Sequence, residues 1–163
     1  MAAVDTRFPA EVRTVLREGG WSPGRDAFAA VRPWTDAVTA TAVYVGDPVP
    51  ELFGAARAVL AEFGGLRFHP LYRHRHKDFA IAPEGGDPGD RWLGMPGWID
   101  KPSYPIGLYY DEMPSELAMD VDGGVYVLHW YSQHKVADSV DEAIVKLTRG
   151  VHFRDLPKIA WAP

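Results

Sequence analysis

Apolar residues recur every three or four places near both ends of the chain, and they alternate with polar ones in much of what lies between. Phe8, Val12, Val15 and Leu16 keep helical spacing. Pro9 suits a first turn, where a missing amide matters least, Glu11 favours the same turn, and Gly19-Gly20 stops the run. A longer stripe of Val49, Leu52, Phe53, Ala56, Val59, Leu60 and Phe63 predicts a second helix of about four turns. Asp47 can cap it, Pro48 and Pro50 fall in its first turn, and Gly64-Gly65 ends it. Residues 26–45 are ambiguous. Phe28, Val31 and Trp34 mark a helical face, but Pro33 interrupts it and Thr39 to Val45 reads as extended.

Leu66 to Phe68 and Phe79 to Ile81 are short strand candidates separated by a basic loop. Residues 83–103 hold five glycines and four prolines without any period, so they predict a long loop; it carries Trp92, Met95 and Trp98. Beyond it Ile106, Leu108 and Tyr110 alternate, as do Leu117, Met119 and Val121. Asp122-Gly123-Gly124 is a tight turn into Val125, Val127 and His129, and this arrangement points Asp120 to solvent. Tyr126 and Leu128 make the other face of that strand apolar, so it is covered on both sides. Ser139 and Glu142 form a capping box ahead of Val140, Ala143, Ile144 and Leu147, and Gly150 ends that helix. Helices bracketing hairpin strands predict an α+β fold: a mainly antiparallel sheet of about five to six strands flanked by helices. At 163 residues the chain reads as one domain, 1–163, with its core at about 8–150.

Composition narrows the chemistry. There are no cysteines, which excludes disulfides, thiolate metal sites and cysteine nucleophiles and fits a reducing compartment. Asp5, Arg7, Glu11, Arg13, Arg17 and Glu18 interrupt any leader-like apolar stretch, and no run approaches the roughly 20 apolar residues of a membrane helix. The expected location is the cytoplasm. A formal charge of −5 argues against nucleic acid and suits a basic partner. Its distribution is uneven: Arg67 to Lys77 holds four cations and no anion, Asp111 to Asp122 five carboxylates and no cation.

Candidate catalytic groups are sparse. On a strand His74 and His76 would share a face about 6–7 Å apart, near enough for one metal. With His69 they sit among Arg73, Arg75 and Lys77, whose charge opposes a divalent cation, and no third ligand lies nearby. Asp120 and Asp122 could form a metal-binding pair, but a strand entering an Asp-Gly turn accounts for Asp122 and Gly123 without metal. Ser132 and His134 lack a nucleophile elbow, and Gly85, Gly86 and Gly89 form no phosphate loop. Neither metal nor cofactor is expected. Binding is better served. Trp92 and Trp98 are interface-type residues that could equally fold back as a lid, and Asp111, Glu112, Glu116, Asp120 and Asp122 could meet a cationic partner. Trp21 and Arg25 could cradle an anion; the structural alternative packs the indole under the first helix and holds Arg25 by a carboxylate.

Several short strings also stand in a telling order. They are Gly20-Trp21-Ser22-Pro23-Gly24-Arg25, Glu62-Phe63-Gly64-Gly65-Leu66, Tyr104-Pro105-Ile106-Gly107 and Met119-Asp120-Val121-Asp122-Gly123-Gly124-Val125-Tyr126, followed by the capped helix at Ser139 to Leu147. The order resembles the third family of the SUKH superfamily of bacterial immunity proteins, from about Phe8 to about Gly150. The resemblance implies a non-enzymatic cytoplasmic protein that binds and neutralises one cognate polymorphic-toxin domain of nuclease or deaminase type; the aromatic residues 92–98 permit either a monomer or a weak homodimer. No nucleic acid or membrane partner is implied. It casts Gly20, Trp21, Gly24, Arg25, Phe63, Gly64, Gly65, Gly107, Asp122 and Gly123 as fold determinants. The length between Pro83 and Ser103 and the Arg73 to Lys77 insertion depart from the family pattern. Two other functions compete: a regulatory interaction domain with a non-toxin partner, and a small metal-dependent hydrolase using His74 and His76 with a carboxylate from Asp120 or Asp122.

Overall fold

Helical spacing becomes helix wherever a face can be buried. The computed structural model describes residues 6–71, 78–82, 98–111, 113–129 and 131–160. α1 (Ala10–Glu18) starts directly after Pro9 and buries Val12, Val15 and Leu16. The ambiguous stretch is a helix, α2 (Phe28–Val45), with Val31, Trp34, Val38 and Ala42 buried. Burying that face outweighs the extended preference of its threonines and valines. Pro33 removes one helical amide bond, but it lies on the exposed side, where water can satisfy the orphaned carbonyl. Gly46 adopts φ +79° and ends the helix; the Asp47 amide returns to the Ala42 carbonyl.

The next helix is shorter than its stripe predicts. α3 (Gly54–Phe63) starts at Gly54, with Phe53 rather than Asp47 at the cap position. Pro48 and Pro50 disfavour helical geometry in the residues before them, so the chain stays out of helix until both are passed. α4 (Val140–Thr148) is capped as expected, the Ser139 hydroxyl accepting the Glu142 amide at 3.2 Å.

Seven strands pair in chain order, each antiparallel to the next: β1 (Leu66–Phe68), β2 (Phe79–Ile81), β3 (Ser103–Tyr110), β4 (Pro114–Asp120), β5 (Val125–His129), β6 (Ser132–Ala137) and β7 (Lys158–Ile159). The α+β fold with a helix-flanked antiparallel sheet holds, and β6 and β7 lengthen the sheet beyond the expected five to six strands. Gly107 marks a close crossing: a Cβ there would lie 2.0 Å from the Ala80 carbonyl oxygen on β2, and β3 shifts register between Pro105 and Gly107.

The sheet has two different faces. Ile81, Tyr104, Leu117, Met119, Val125 and Val127 join the helices in the main core. Ala118, Tyr126 and Leu128, on the other face, pack with Trp98 and Ile99 in a smaller cluster. β5 is thus covered on both sides, as Tyr126 and Leu128 led us to expect.

Candidate functional site

The acidic segment does not form one exposed strip. β4 is seven residues long, about 23 Å, and separates Asp111 from Asp122. Asp111 is nearly covered and faces His152 Nε2 at 3.2 Å. Glu116 points into the sheet face opposite the helices and is buried. Glu112 lies outside the described residues. Asp122 alone of the four described carboxylates stands well into solvent, 68% exposed, and accepts Lys101 Nζ at 2.8 Å, which raises the lysine pKa.

Asp120 overturns its expected orientation: it is 1% exposed. Its Oδ1 accepts the amides of Asp122 and Gly124, both at 2.9 Å, and its Oδ2 accepts the Tyr126 hydroxyl at 2.7 Å. The carboxylate organises the β4–β5 turn, in which Gly123 takes φ +97°. Burial first, and this hydrogen bond second, push the Tyr126 pKa far above the usual phenol range. The reason for the inversion is packing: Asp120 shares a face with Ala118 and Glu116, and that face is covered rather than wet. Asp120 and Asp122 therefore do not converge as a metal pair. Among the described residues no three His, Asp or Glu side chains are placed to hold a metal; His74 and His76 lie outside them.

Trp98 is also buried, 7% exposed, against the satellite cluster. That is the packing the lid reading expects of it. Trp92 and Met95 lie outside the described residues.

The two glycine strings meet. Trp21 stacks on Phe63 (6.3 Å between centroids, 11° between planes) and meets Phe8 edge-on at 5.7 Å. Its indole N–H donates to Glu62 Oε1 at 3.0 Å. Arg25 is held by backbone rather than by a carboxylate: its Nη1 donates to the Glu62 carbonyl and its Nη2 to the Gly64 carbonyl, both at 2.8 Å. It thereby satisfies carbonyls left open at the end of α3. Arg7 closes the cluster, reaching both Glu62 and Asp141 at 2.6 Å, and these bonds raise its pKa. Gly20, Gly24 and Gly65 all take positive φ around this latch, and Gly64 is packed so tightly that a Cβ would lie 2.4 Å from Val31 Cγ1.

Two features escape a linear reading. His129, His134 and His152 gather round Phe153, with ring centroids 5.0, 5.3 and 4.7 Å from it. His134 Nδ1 faces the Leu156 carbonyl at 3.0 Å and its Nε2 faces the Ser132 hydroxyl at 2.8 Å. Recognising β6 as a strand paired with β5 would have placed His129 and His134 together. A cleft of about 410 Å³ lies between α1 and β1, lined by Val15, Glu18, Gly19, Arg67, His69 and Leu71. Arg67 and His69 hold Asp78 between them at 3.0 and 2.8 Å, so Arg67, the first cation of the basic run, is already engaged.

No curated protein and no solved structure matches the chain significantly. Among the described residues no helix is long and apolar enough to cross a membrane. The family model of the SUKH-3 immunity protein does match, over residues 8–150. That span takes in the aromatic latch, the Gly107 crossing and the Asp120 turn, and the chain belongs to the SUKH-3 family of toxin-neutralising immunity proteins.

Proposed function

We propose that this protein works in the cytoplasm by binding one toxin domain stoichiometrically and covering its active site or its substrate's approach, without catalysis or cofactor. The observation that carries the reading is the family match across residues 8–150. The net charge of −5 supports a toxin that acts on nucleic acid, as a nuclease or a base deaminase. Such an enzyme needs cations to hold phosphates, and protein carboxylates can occupy the same positions. We assign the toxin-facing surface to the exposed Asp122 and, outside the described residues, to Glu112 and Trp92, with the nearly covered Asp111 beneath it. Glu116 and Asp120, within β4, and Trp98, packed on that face of the sheet, support that surface from beneath. The partner is a protein, not nucleic acid or membrane.

Calorimetry against the toxin domain encoded beside this chain, at two salt concentrations, tests the reading. The expected result is tight one-to-one binding that weakens with salt and associates more slowly in a Glu112→Lys/Asp122→Lys double variant. Binding indifferent to salt moves the interface to Trp92 and its neighbours in sequence. If no toxin gene lies nearby and no binding is found, a regulatory interaction domain replaces the immunity reading.

A further inference from the structure

The outward face of α2 carries charge only in its N-terminal half. Arg32, Asp36, Ala40, Val43 and Tyr44 fall at intervals of four, four, three and one, so they share one side of the helix. All five are exposed, while Val31, Trp34, Val38 and Ala42 on the other side are buried. From Ala37 to Gly46 there is no charged residue, in a chain that is 24% charged. Tyr44 is 90% exposed, Val43 66% and Val45 56%. A presented tyrosine flanked by valines is the residue chemistry of an interface anchor.

The order of groups along this stripe is self-complementary. Its N-terminal end carries the Arg32–Asp36 pair, 3.9 Å apart and largely solvated. Its C-terminal end carries Tyr44, and the exposed Asp47 follows just beyond the cap. We infer that α2 is the contact face of a two-fold homodimer, with the helices of two copies packed antiparallel and crossing at Ala40. In that arrangement Tyr44 of each copy meets Asp36 of the other, and its hydroxyl donates to the carboxylate. Arg32 lies against Asp47 of the second copy. Ala40, with only a methyl group, lets the helices approach closely at the crossing, and the two-fold axis makes every contact twice. The 18-residue helix is about 27 Å long, so the strip buries well under the roughly 800 Å² per partner of a standard stable interface. The dimer is therefore weak, with a dissociation constant on the order of 10–100 µM.

Sedimentation velocity from about 5 to about 500 µM brackets that range. The wild-type protein is expected to shift from monomer to dimer across it. Tyr44→Glu places two carboxylates together and should remain monomeric throughout with an unchanged melting temperature, since the side chain touches little of its own fold. Arg32→Glu should weaken the dimer about tenfold, and adding Asp47→Arg to the same chain should restore it. A wild-type protein that stays monomeric at the top concentration overturns the inference, as does a Tyr44→Glu variant that dimerises normally. A wild-type monomer whose toxin binding is lost in Tyr44→Glu gives the face to the toxin instead. The inference does not depend on the immunity reading: a dimer that binds no toxin leaves it standing while that reading falls.

Discussion

Asp120 accepts three hydrogen bonds, and one side chain thereby fixes both the β4–β5 turn and the position of Tyr126. Removing the carboxylate leaves the phenol and two turn amides without their acceptor, at a cost of about 3 kcal/mol for Asp120→Ala. Tyr126→Phe removes only one donor and should cost about 1 kcal/mol. Urea unfolding of the two variants checks the ranking; equal effects would mean that the turn amides find other acceptors. His129 gives a residue-level pH dependence. Burial against Phe153 lowers its pKa below the ordinary 6.5, outweighing the opposing pull of Asp111; Arg154 and His134 add to the lowering. The unfolded chain therefore takes up this proton before the folded one does. Its contribution is complete above the unfolded pKa and is lost as pH falls through that value toward the folded one. The melting temperature should drop between about pH 7 and about pH 5, and drop less in His129→Phe, which keeps a ring on Phe153. Parallel curves for the two proteins would refute the assignment.

At the scale of elements, the end of α3 shows a helix finished by another part of the chain. Gly64 and Gly65 stop it, but its carbonyls are satisfied by Arg25, from the loop after α1. Arg25→Ala should destabilise by about 2 kcal/mol, and Arg25→Lys should recover less than half, because an ammonium cannot present two parallel donors at guanidinium spacing. Full recovery by lysine, in the same unfolding experiment, would show that only charge matters. β6 carries the opposite case. Gln133 is 1% exposed and, among the described residues, neither end of its amide has a hydrogen-bond partner, while its cross-strand neighbours are Leu128 and Ile159. Gln133→Leu should raise stability by about 1 kcal/mol, since it removes unpaired polar atoms from an apolar setting. A loss of similar size would indicate that the amide is held in a way its shape alone provides.

For the whole molecule, the two proposed contact surfaces separate. Asp122, proposed to face the toxin, follows β4 in the turn before β5, whereas the proposed dimer face lies on α2. Tyr44→Glu should leave toxin affinity within about twofold, and the Glu112→Lys/Asp122→Lys variant should leave the sedimentation profile unchanged. Calorimetry and sedimentation on both variants test this crossed pattern. Coupling in either direction would place both functions on one surface.

Local patterning by itself determined α1, α4, the strands from Leu66 to His129 and the Asp122-Gly123 turn, because each is specified by neighbours within a few residues: a cap, a glycine, an alternating run. The order of short strings likewise carried the family. Tertiary structure alone decided that residues 28–45 are helical, since only burial of Val31, Trp34 and Val38 could outweigh their mixed propensities. It also decided which carboxylates are wet. An alternating strand states that Asp120 and Met119 point to opposite faces, but not that both faces are covered. Trp98 turned inward for the same reason: a surface-type residue becomes a lid when a sheet face lies within reach. The meeting of Arg25 with the end of α3, and of three histidines round Phe153, depends on contacts between residues far apart in sequence, which no local pattern encodes.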